Sequence, residues 1–258
     1  MKTTIDQLEQ ELRQPIIELH KIRDAFLFAL KFAETNAARD PQYRDTYLLH
    51  YLSHDFMQSV CAIPVLAIEG ILSASKRETR FILEAAIKLC CIQQNDYTLP
   101  IAKRMQNFQE LLSTSSITMG KNVPLKMLSE EKRGEFNSEV GRTYGEVCNF
   151  VHLTPHQMNE RIRLTDAGRI SGKESAEDIV ELCKLTERVF ALALVYIFHA
   201  APSFVTGDFF VEGNGSSVSW HFSASKWMAE IDAHFDYKHE RQASLSEIAR
   251  LRGENIRF

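Results

Sequence analysis

The chain has 258 residues, of which 45% are apolar and 25% are charged, and its formal net charge is −4. This length suits one large or two small domains, and it is enough to bury a core without support from disulfides or metals. The balance of 30 basic against 34 acidic residues excludes a strongly basic nucleic-acid coat and an acidic disordered tail. Only 11 glycines and 7 prolines argue against an all-β fold, which needs more turn residues.

The sequence has no pattern typical of export or membrane insertion. Acidic residues interrupt its first turns, where a signal peptide needs a basic start and an apolar run. The longest apolar stretch, 189–201, is shorter than the roughly 18–20 residues that span a bilayer. An odd number of cysteines in apolar helical contexts, without a CxxC pair, favours reduced and buried thiols. We therefore expect a cytoplasmic protein without a membrane segment.

Apolar residues recur at helical spacing through most of the chain before residue 200. Pro15 and Pro64 each remove an intrahelical hydrogen bond, so we expect their helices to kink or restart there. Ser75 opens a Ser-x-x-Glu capping box, which predicts that a helix begins at this residue. The small, polar segment 113–123 indicates a loop. The predicted helices cover 5–38, 43–71, 75–93, 101–112, 130–152, the segment from 155 to a turn at 168–172, and 175–200.

The character of the sequence changes after Pro202. Two runs rich in β-forming residues, 208–212 and 217–222, flank a Gly-Asn-Gly-Ser turn, which predicts a β-hairpin. Helical patterns follow over 225–240 and 244–252. The predicted fold is therefore mainly α: a helical bundle over 1–200 with a small C-terminal appendage, 201–258, made of a β-hairpin plus helix.

No familiar nucleotide-binding, zinc-protease or serine-hydrolase motif occurs in the sequence. His50 and His54 are one helical turn apart and are followed by Asp55, a spacing that allows both imidazoles to bind one metal ion. A site would need a third ligand, which no motif supplies. We therefore favour a partly exposed histidine pair over a metal site and expect no metal and no cofactor.

A charge pair lies within an apolar helix. Arg80 and Glu84 are separated by one turn, and the residues around them leave little room for a polar face. Charges that are partly buried must be paired or functional. Two interpretations stay open: a structural ion pair that ties helices together, and an anion-binding or catalytic arginine.

A second helix carries a further set of reactive side chains. Tyr144, Cys148 and His152 are spaced to form one stripe, with Asn149 on the adjoining flank and Arg142 near by in sequence. His152 is predicted at the helix end, where the dipole favours an imidazolium. This histidine suits general acid–base catalysis, and the alternative is a core histidine bonded to a backbone carbonyl.

The two helices together resemble a family of uncharacterised prokaryotic helical proteins related to the HEPN superfamily. Its members carry an Arg/Glu helix, here Arg80 and Glu84, and a later Tyr-x3-Ser-x2-Val-His helix, here Tyr144 to His152. The resemblance covers about residues 40–200. It implies a helical bundle of a kind that often dimerises and, in many members, a metal-independent ribonuclease of toxin–antitoxin or phage-defence systems.

The chain departs from the family pattern at two places. Cys148 replaces the serine, and none of the four residues at 145–148 is the arginine that HEPN ribonucleases carry shortly before the histidine. The polar residue before the histidine is retained as Asn149. If the chain cleaves RNA, Arg80 or Arg142 must therefore hold the phosphate while His152 deprotonates the ribose 2′-hydroxyl.

The sequence thus predicts an RNA-binding or RNA-cleaving effector of a prokaryotic defence or stress system, present as a homodimer. The alternative is a non-catalytic helical module that binds or regulates a protein partner. A local basic patch is enough for RNA binding despite the negative net charge. The candidates for such a patch, which are equally compatible with ordinary solvated surface, are Lys121, Lys126, Lys132 and Arg133.

Overall fold

A computed structural model of the chain describes residues 5–94, 99–111, 115–151, 154–166, 168 and 174–258. Helices account for most of this part of the chain, which confirms the predicted mainly α fold. The α-helices are α1 (Gln10–Ala37), α2 (Pro41–Arg44), α3 (Leu49–Ile68), α4 (Leu72–Gln94), α5 (Ile101–Leu111), α6 (Ser116–Asn122), α7 (Glu130–Cys148), α8 (Pro155–Asp166), α9 (Ala176–Ala200), α10 (Ser203–Phe210), α11 (Lys226–His234) and α12 (Leu245–Asn255). Short 3₁₀ turns occupy Ile5–Gln7, His221–Ala224 and His239–Arg241.

Helix α9 is the centre of the molecule. It packs against α1 and α4, α3 completes the bundle beside them, and α6 and α7 cover the outer side of α4. Every residue over 189–201 is at most 2% exposed, so the apolar stretch of the sequence is a core helix surrounded by protein. Among the residues that the structure describes, no helix is both long enough and apolar enough to cross a bilayer.

Several helix boundaries differ from the sequence expectations. Helices α1 and α3 continue through Pro15 and Pro64, because packing of their apolar faces outweighs one lost hydrogen bond. Helix α4 begins at Leu72, and Ser75 is a buried residue inside it whose hydroxyl donates to the Ile63 carbonyl at 3.0 Å. The predicted Ser75 cap is therefore wrong. The described part of the predicted loop 113–123 contains α6, which is capped by the Ser115 side chain.

The turn between α3 and α4 explains the early start of α4. Gly70 has a φ of 69°, and the Ile71 amide donates back to the Leu66 carbonyl at 2.7 Å. A 6→1 hydrogen bond that follows a residue in the left-handed conformation is a Schellman motif. Glycine is the preferred residue at the left-handed position. The chain therefore changes direction before Leu72, and α4 begins three residues before the predicted cap at Ser75.

The predicted C-terminal β-hairpin is wrong. Residues 201–258, all of which are described, contain no strand, only one isolated antiparallel bridge between Val211 and Ser217. The ring centroids of Phe209 and Phe210 both lie 5.0 Å from that of buried Phe198. Adjacent residues of a strand point to opposite faces of the sheet, whereas neighbours at the end of a helix can share one apolar wall. Burying both rings therefore favours α10 over a strand.

The C-terminal segment is held together by a buried ion-pair cluster. Arg241 is fully buried, and its Nη2 atom contacts the Asp232 carboxylate at 2.5 Å and its Nη1 atom contacts Asp236 at 2.9 Å. Arg252 binds the same two carboxylates at 2.6 Å each. Helices α10 and α11 also pack on α1 or α9, so this segment covers part of the bundle. The cluster joins α11, α12 and the 3₁₀ turn His239–Arg241.

The five cysteines are free thiols. Cys90 and Cys183 are buried, Cys91 and Cys148 are half-buried, and Cys61 is exposed. The prediction that all of the thiols are buried is therefore wrong at Cys61, which occupies the outer face of α3.

Candidate functional site

The Arg80–Glu84 ion pair predicted from the sequence forms on α4, and Lys88 extends it by one helical turn. The Glu84 carboxylate lies 2.6 Å from Lys88 Nζ and 3.6 Å from Arg80 Nη2. All three side chains are half-buried, between 19% and 26% exposed. Arg80, Glu84 and Lys88 therefore form a continuous row of charges along one face of the helix.

Helix α7 adds Tyr144 to this row. The Tyr144 hydroxyl lies 3.4 Å from Arg80 Nη2, and the Arg80 guanidinium carbon lies 5.5 Å from the centre of the Tyr144 ring. The Nε atom of Arg80 is buried and has no hydrogen-bond partner in the described part of the chain. The guanidinium is thus held in place by its neighbours while part of its donor capacity is unused.

Burial and charge set the protonation states in this row. Burial disfavours the ionised Glu84 carboxylate, but the hydrogen bond and charge of Lys88, together with Arg80, outweigh this effect and lower its pKa. Burial raises the pKa of the Cys148 thiol despite the nearby Arg80. Glu84 is therefore an anion at neutral pH, and Cys148 is a protonated thiol, which is a poor nucleophile.

Two more cations lie one turn earlier on α4, against the end of α7. Arg77 Nε donates to the Phe150 carbonyl at 2.7 Å, and Lys76 Nζ lies 4.5 Å from the centre of the Phe150 ring. Phe81, next to Arg80, is 44% exposed. Cations and aromatic rings therefore alternate on one surface. We name this the α4–α7 surface and define it by Lys76, Arg77, Arg80, Phe81, Tyr144 and Phe150.

The structure brings together only some of the predicted site residues. Arg80 and Glu84 form a pair, as their spacing suggested, and Tyr144 contacts Arg80 from a second helix, which the spacing did not indicate. Asn149 is the C-cap of α7, where its backbone amide donates to the carbonyls of the last turn. His152, the proposed general base, lies outside the described residues. The interpretation of His152 as a base or as a core residue therefore stays a prediction.

Arg142 does not belong to this surface. It precedes Tyr144 by two residues, which is about 200° around a helix, so the two side chains leave α7 in nearly opposite directions. Arg142 instead lines a separate cavity between α7, α9 and α11. Of the two arginines proposed to hold a phosphate, only Arg80 lies with Tyr144.

The predicted histidine pair lies on α3, and its two rings have different surroundings. His54 Nε2 is 2.8 Å from the Gln58 side-chain amide, whereas His50 Nε2 is buried without a partner in the described chain. Burial lowers the pKa of His50. Within the described ranges, no group of three His, Cys, Asp or Glu side chains is arranged to hold a metal ion.

The candidate basic patch at 121–133 is partly neutralised. Lys132 forms a 3.1 Å ion pair with Glu135, and Arg133 donates to the Leu128 carbonyl. Lys121 and Lys126 are exposed. No aromatic side chain is interleaved with them in this segment, so the α4–α7 surface is the better candidate for nucleic acid.

Sequence reasoning missed five residues of this region: Lys76, Arg77, Phe81, Lys88 and Phe150. Lys88 follows Glu84 by four residues, just as Glu84 follows Arg80. Applying the i, i+4 rule once more would therefore have found Lys88. The contacts of Lys76 and Arg77 with Phe150 join residues more than 70 positions apart in the sequence. No local pattern indicates such contacts.

Comparison of the chain with protein-family models, with curated proteins and with solved structures found no match.

Proposed function

We propose that the protein binds single-stranded RNA at the α4–α7 surface. The observation that carries this proposal is the side-by-side arrangement of three cations, Lys76, Arg77 and Arg80, with the rings of Tyr144 and Phe150. Single-stranded nucleic acids are bound by such combinations, because cations pair with phosphates and aromatic faces stack on bases.

Arg80 is the preferred phosphate ligand on this surface. Tyr144 and Glu84 lie 3.4 Å and 3.6 Å from its Nη2 atom and hold the guanidinium in place. A guanidinium presents several donors in a fixed plane and binds a phosphate in a bidentate manner. The partial exposure of Arg80 leaves room for that contact.

The resemblance to HEPN proteins supports cleavage of the bound RNA. His152 follows Phe150 by two positions, and the Phe150 carbonyl is anchored to α4 by Arg77. In the proposed step His152 takes the proton of a ribose 2′-hydroxyl, the 2′-oxygen bonds to the adjacent phosphorus, and the bond to the 5′-oxygen breaks. That oxygen takes a proton from water, and Arg80 stabilises the charge on the phosphate.

Binding is tested by fluorescence anisotropy with a labelled single-stranded RNA. The double variant Lys76→Ala/Arg77→Ala removes two phosphate contacts without touching Arg80, so we expect about tenfold weaker binding. Arg44→Ala, which removes an exposed cation of α2, is the control and keeps the parent affinity. Equal affinity of the double variant and the parent, or no binding by either, would overturn the proposal.

Cleavage is tested separately, by incubating total RNA with the protein in EDTA. The parent is expected to yield fragments that end in 2′,3′-cyclic phosphates, and His152→Ala and Arg80→Ala are expected to yield none. His54→Ala is the matched histidine control. Cleavage that persists in His152→Ala contradicts the assignment of the base. RNA binding without cleavage by the parent leaves a binding protein and rejects the nuclease.

The second candidate is an interaction module, and α8 favours it. Met158 and Ile162 are one turn apart and are 46% and 55% exposed, so they form an apolar strip on the helix surface. A homodimer, as the resemblance implies, would bury this strip. Sedimentation of the parent and of Met158→Lys/Ile162→Lys tests it, because a dimer through α8 dissociates in the variant. A monomeric parent rejects this interface.

A further inference from the structure

The row of cations on α4 continues onto α8. Arg161 of α8 donates a hydrogen bond through Nη2 to the Ser73 hydroxyl, with the two atoms 2.5 Å apart. Ser73 lies in the first turn of α4, three and four residues before Lys76 and Arg77, so it is on the same face of the helix as these cations. Arg161 is therefore placed at the end of the cation row of the α4–α7 surface.

Arg161 can be reached by a ligand from solvent. Its side chain is exposed, and so is every other side chain of α8 that the structure describes. The contact with Ser73 uses one N–H of a guanidinium that has five. This guanidinium forms no other hydrogen bond and no salt bridge with the described residues. Most of its donor capacity is therefore free for a phosphate at the surface.

Carboxylates do not neutralise this end of the row. Among the described residues, none of Arg161, Lys76 and Arg77 has a salt-bridge partner. The described carboxylates nearest in the sequence form no salt bridge with these three cations: Glu69, Glu78 and Asp166. Glu84, farther along the row, is already paired with Lys88 at 2.6 Å. Three cations without an ion-pair partner thus follow one another from α8 onto α4.

The two ends of the row are too far apart to share one phosphate. Ser73, which holds Arg161, and Arg80 are seven residues apart, or roughly 10 Å along a helix that rises about 1.5 Å per residue. Arg80 is held at its own end by Tyr144, whose hydroxyl lies 3.4 Å from Nη2. A strand that contacts both arginines must therefore place different phosphates on them and lie along α4.

We propose that Arg161 is a further phosphate ligand of the RNA-binding site, and that the bound strand runs along α4 from its first turn to Tyr144. This inference rests on the proposed RNA binding at the α4–α7 surface and adds one residue of α8 to that site. A guanidinium suits the role because it pairs with a phosphate through two N–H groups. In the free protein the Ser73 hydroxyl holds Arg161 beside the row.

Fluorescence anisotropy with a labelled single-stranded RNA tests this contact. Arg161→Ala should weaken binding by about fivefold and make the slope of log affinity against log salt concentration shallower by about 0.7, since one phosphate contact is lost. Arg161→Lys should keep the slope of the parent, because a lysine neutralises the same phosphate. Arg163→Ala is the matched control. This exposed arginine follows Arg161 by two residues, about 200° around α8, so its loss should leave the affinity within about twofold.

Ser73→Ala separates a phosphate ligand from a mere tether between α4 and α8. It removes the hydrogen bond but keeps the cation, so we expect an affinity within about twofold of the parent. A loss in Ser73→Ala as large as that in Arg161→Ala would assign the arginine a structural role and overturn the proposal. If Arg161→Ala binds like the parent while Lys76→Ala/Arg77→Ala binds more weakly, the Arg161 contact is rejected and the α4–α7 surface stands. No binding by the parent rejects both.

Discussion

His199 is a histidine whose role is set by burial. It lies in the last turn of α9 at 2% exposure, its Nε2 atom accepts a hydrogen bond from the Met127 amide at 3.0 Å, and its Nδ1 atom is 2.7 Å from the Val195 carbonyl. An acceptor at Nε2 and a donor at Nδ1 require the neutral ring. Burial lowers the pKa of His199 to about 4, so a protonated ring is incompatible with these contacts.

This pKa makes the stability of the protein depend on pH. An unfolded histidine takes its proton near pH 6.5, whereas His199 in the folded protein takes it only near pH 4, so the unfolded state binds more protons between these values. The free energy of unfolding should therefore fall as the pH drops from about 6.5 to 4, by about 3 kcal/mol from this residue.

Urea unfolding at a series of pH values measures this effect. His199→Gln should be less stable than the parent at pH 7 and should lose less stability on acidification, because the titrating group is gone. His54→Gln, an exposed site on α3, should follow the parent curve. A His199→Gln curve parallel to that of the parent would contradict the assigned role.

At the scale of elements, the sequence predicted helices well where a cap and an apolar face agree. The predicted helix over 175–200 is confirmed, and the structure shows that a capping box of Ser175 and Asp178 starts it. Local patterns failed where a long-range contact decided the outcome. Phe209 and Phe210 look β-forming in isolation, yet both pack on Phe198 and continue a helix.

The turn after α10 depends on one glycine. Gly215 has a φ of 87°, and a Cβ atom there would lie 2.1 Å from the Glu240 carbonyl oxygen. Gly215→Ala should therefore destabilise the protein by about 2 kcal/mol or more, through the left-handed backbone and the clash. Gly213→Ala, where a Cβ atom meets nothing within 4 Å, is the matched control. Similar urea midpoints for the two variants would contradict this reading of the turn.

At the scale of the whole molecule, the negative net charge conceals a local group of cations on the α4–α7 surface. The sequence located this group in part, since Arg80 and Glu84 follow the i, i+4 rule on α4. It could not show that Arg142 lies apart from Arg80, beside a cavity between α7 and α9, because this depends on how the helices face each other. The partners of each charge are a property of the packed bundle.

Local positive charge predicts a specific salt dependence of RNA binding. Contacts of Lys76, Arg77 and Arg80 with three phosphates should contribute about −2 to the slope of a plot of log affinity against log salt concentration for a single strand. The Lys76→Ala/Arg77→Ala variant should retain only about −0.7 of this contribution. Anisotropy titrations at several salt concentrations measure both slopes. Equal slopes would mean that the phosphates are bound elsewhere.

The enclosure of α9 has a consequence for the order in which the molecule can form during synthesis. Its neighbours include α1 at one end of the sequence and α11 near the other, so the core joins segments separated by well over a hundred positions. The N-terminal helices leave the ribosome long before α9 is synthesised. Until α9 emerges, the apolar face of α1 has only α3 as native cover. Closure of the core must therefore wait for nearly the whole chain, and unfinished chains expose the surface that chaperones bind.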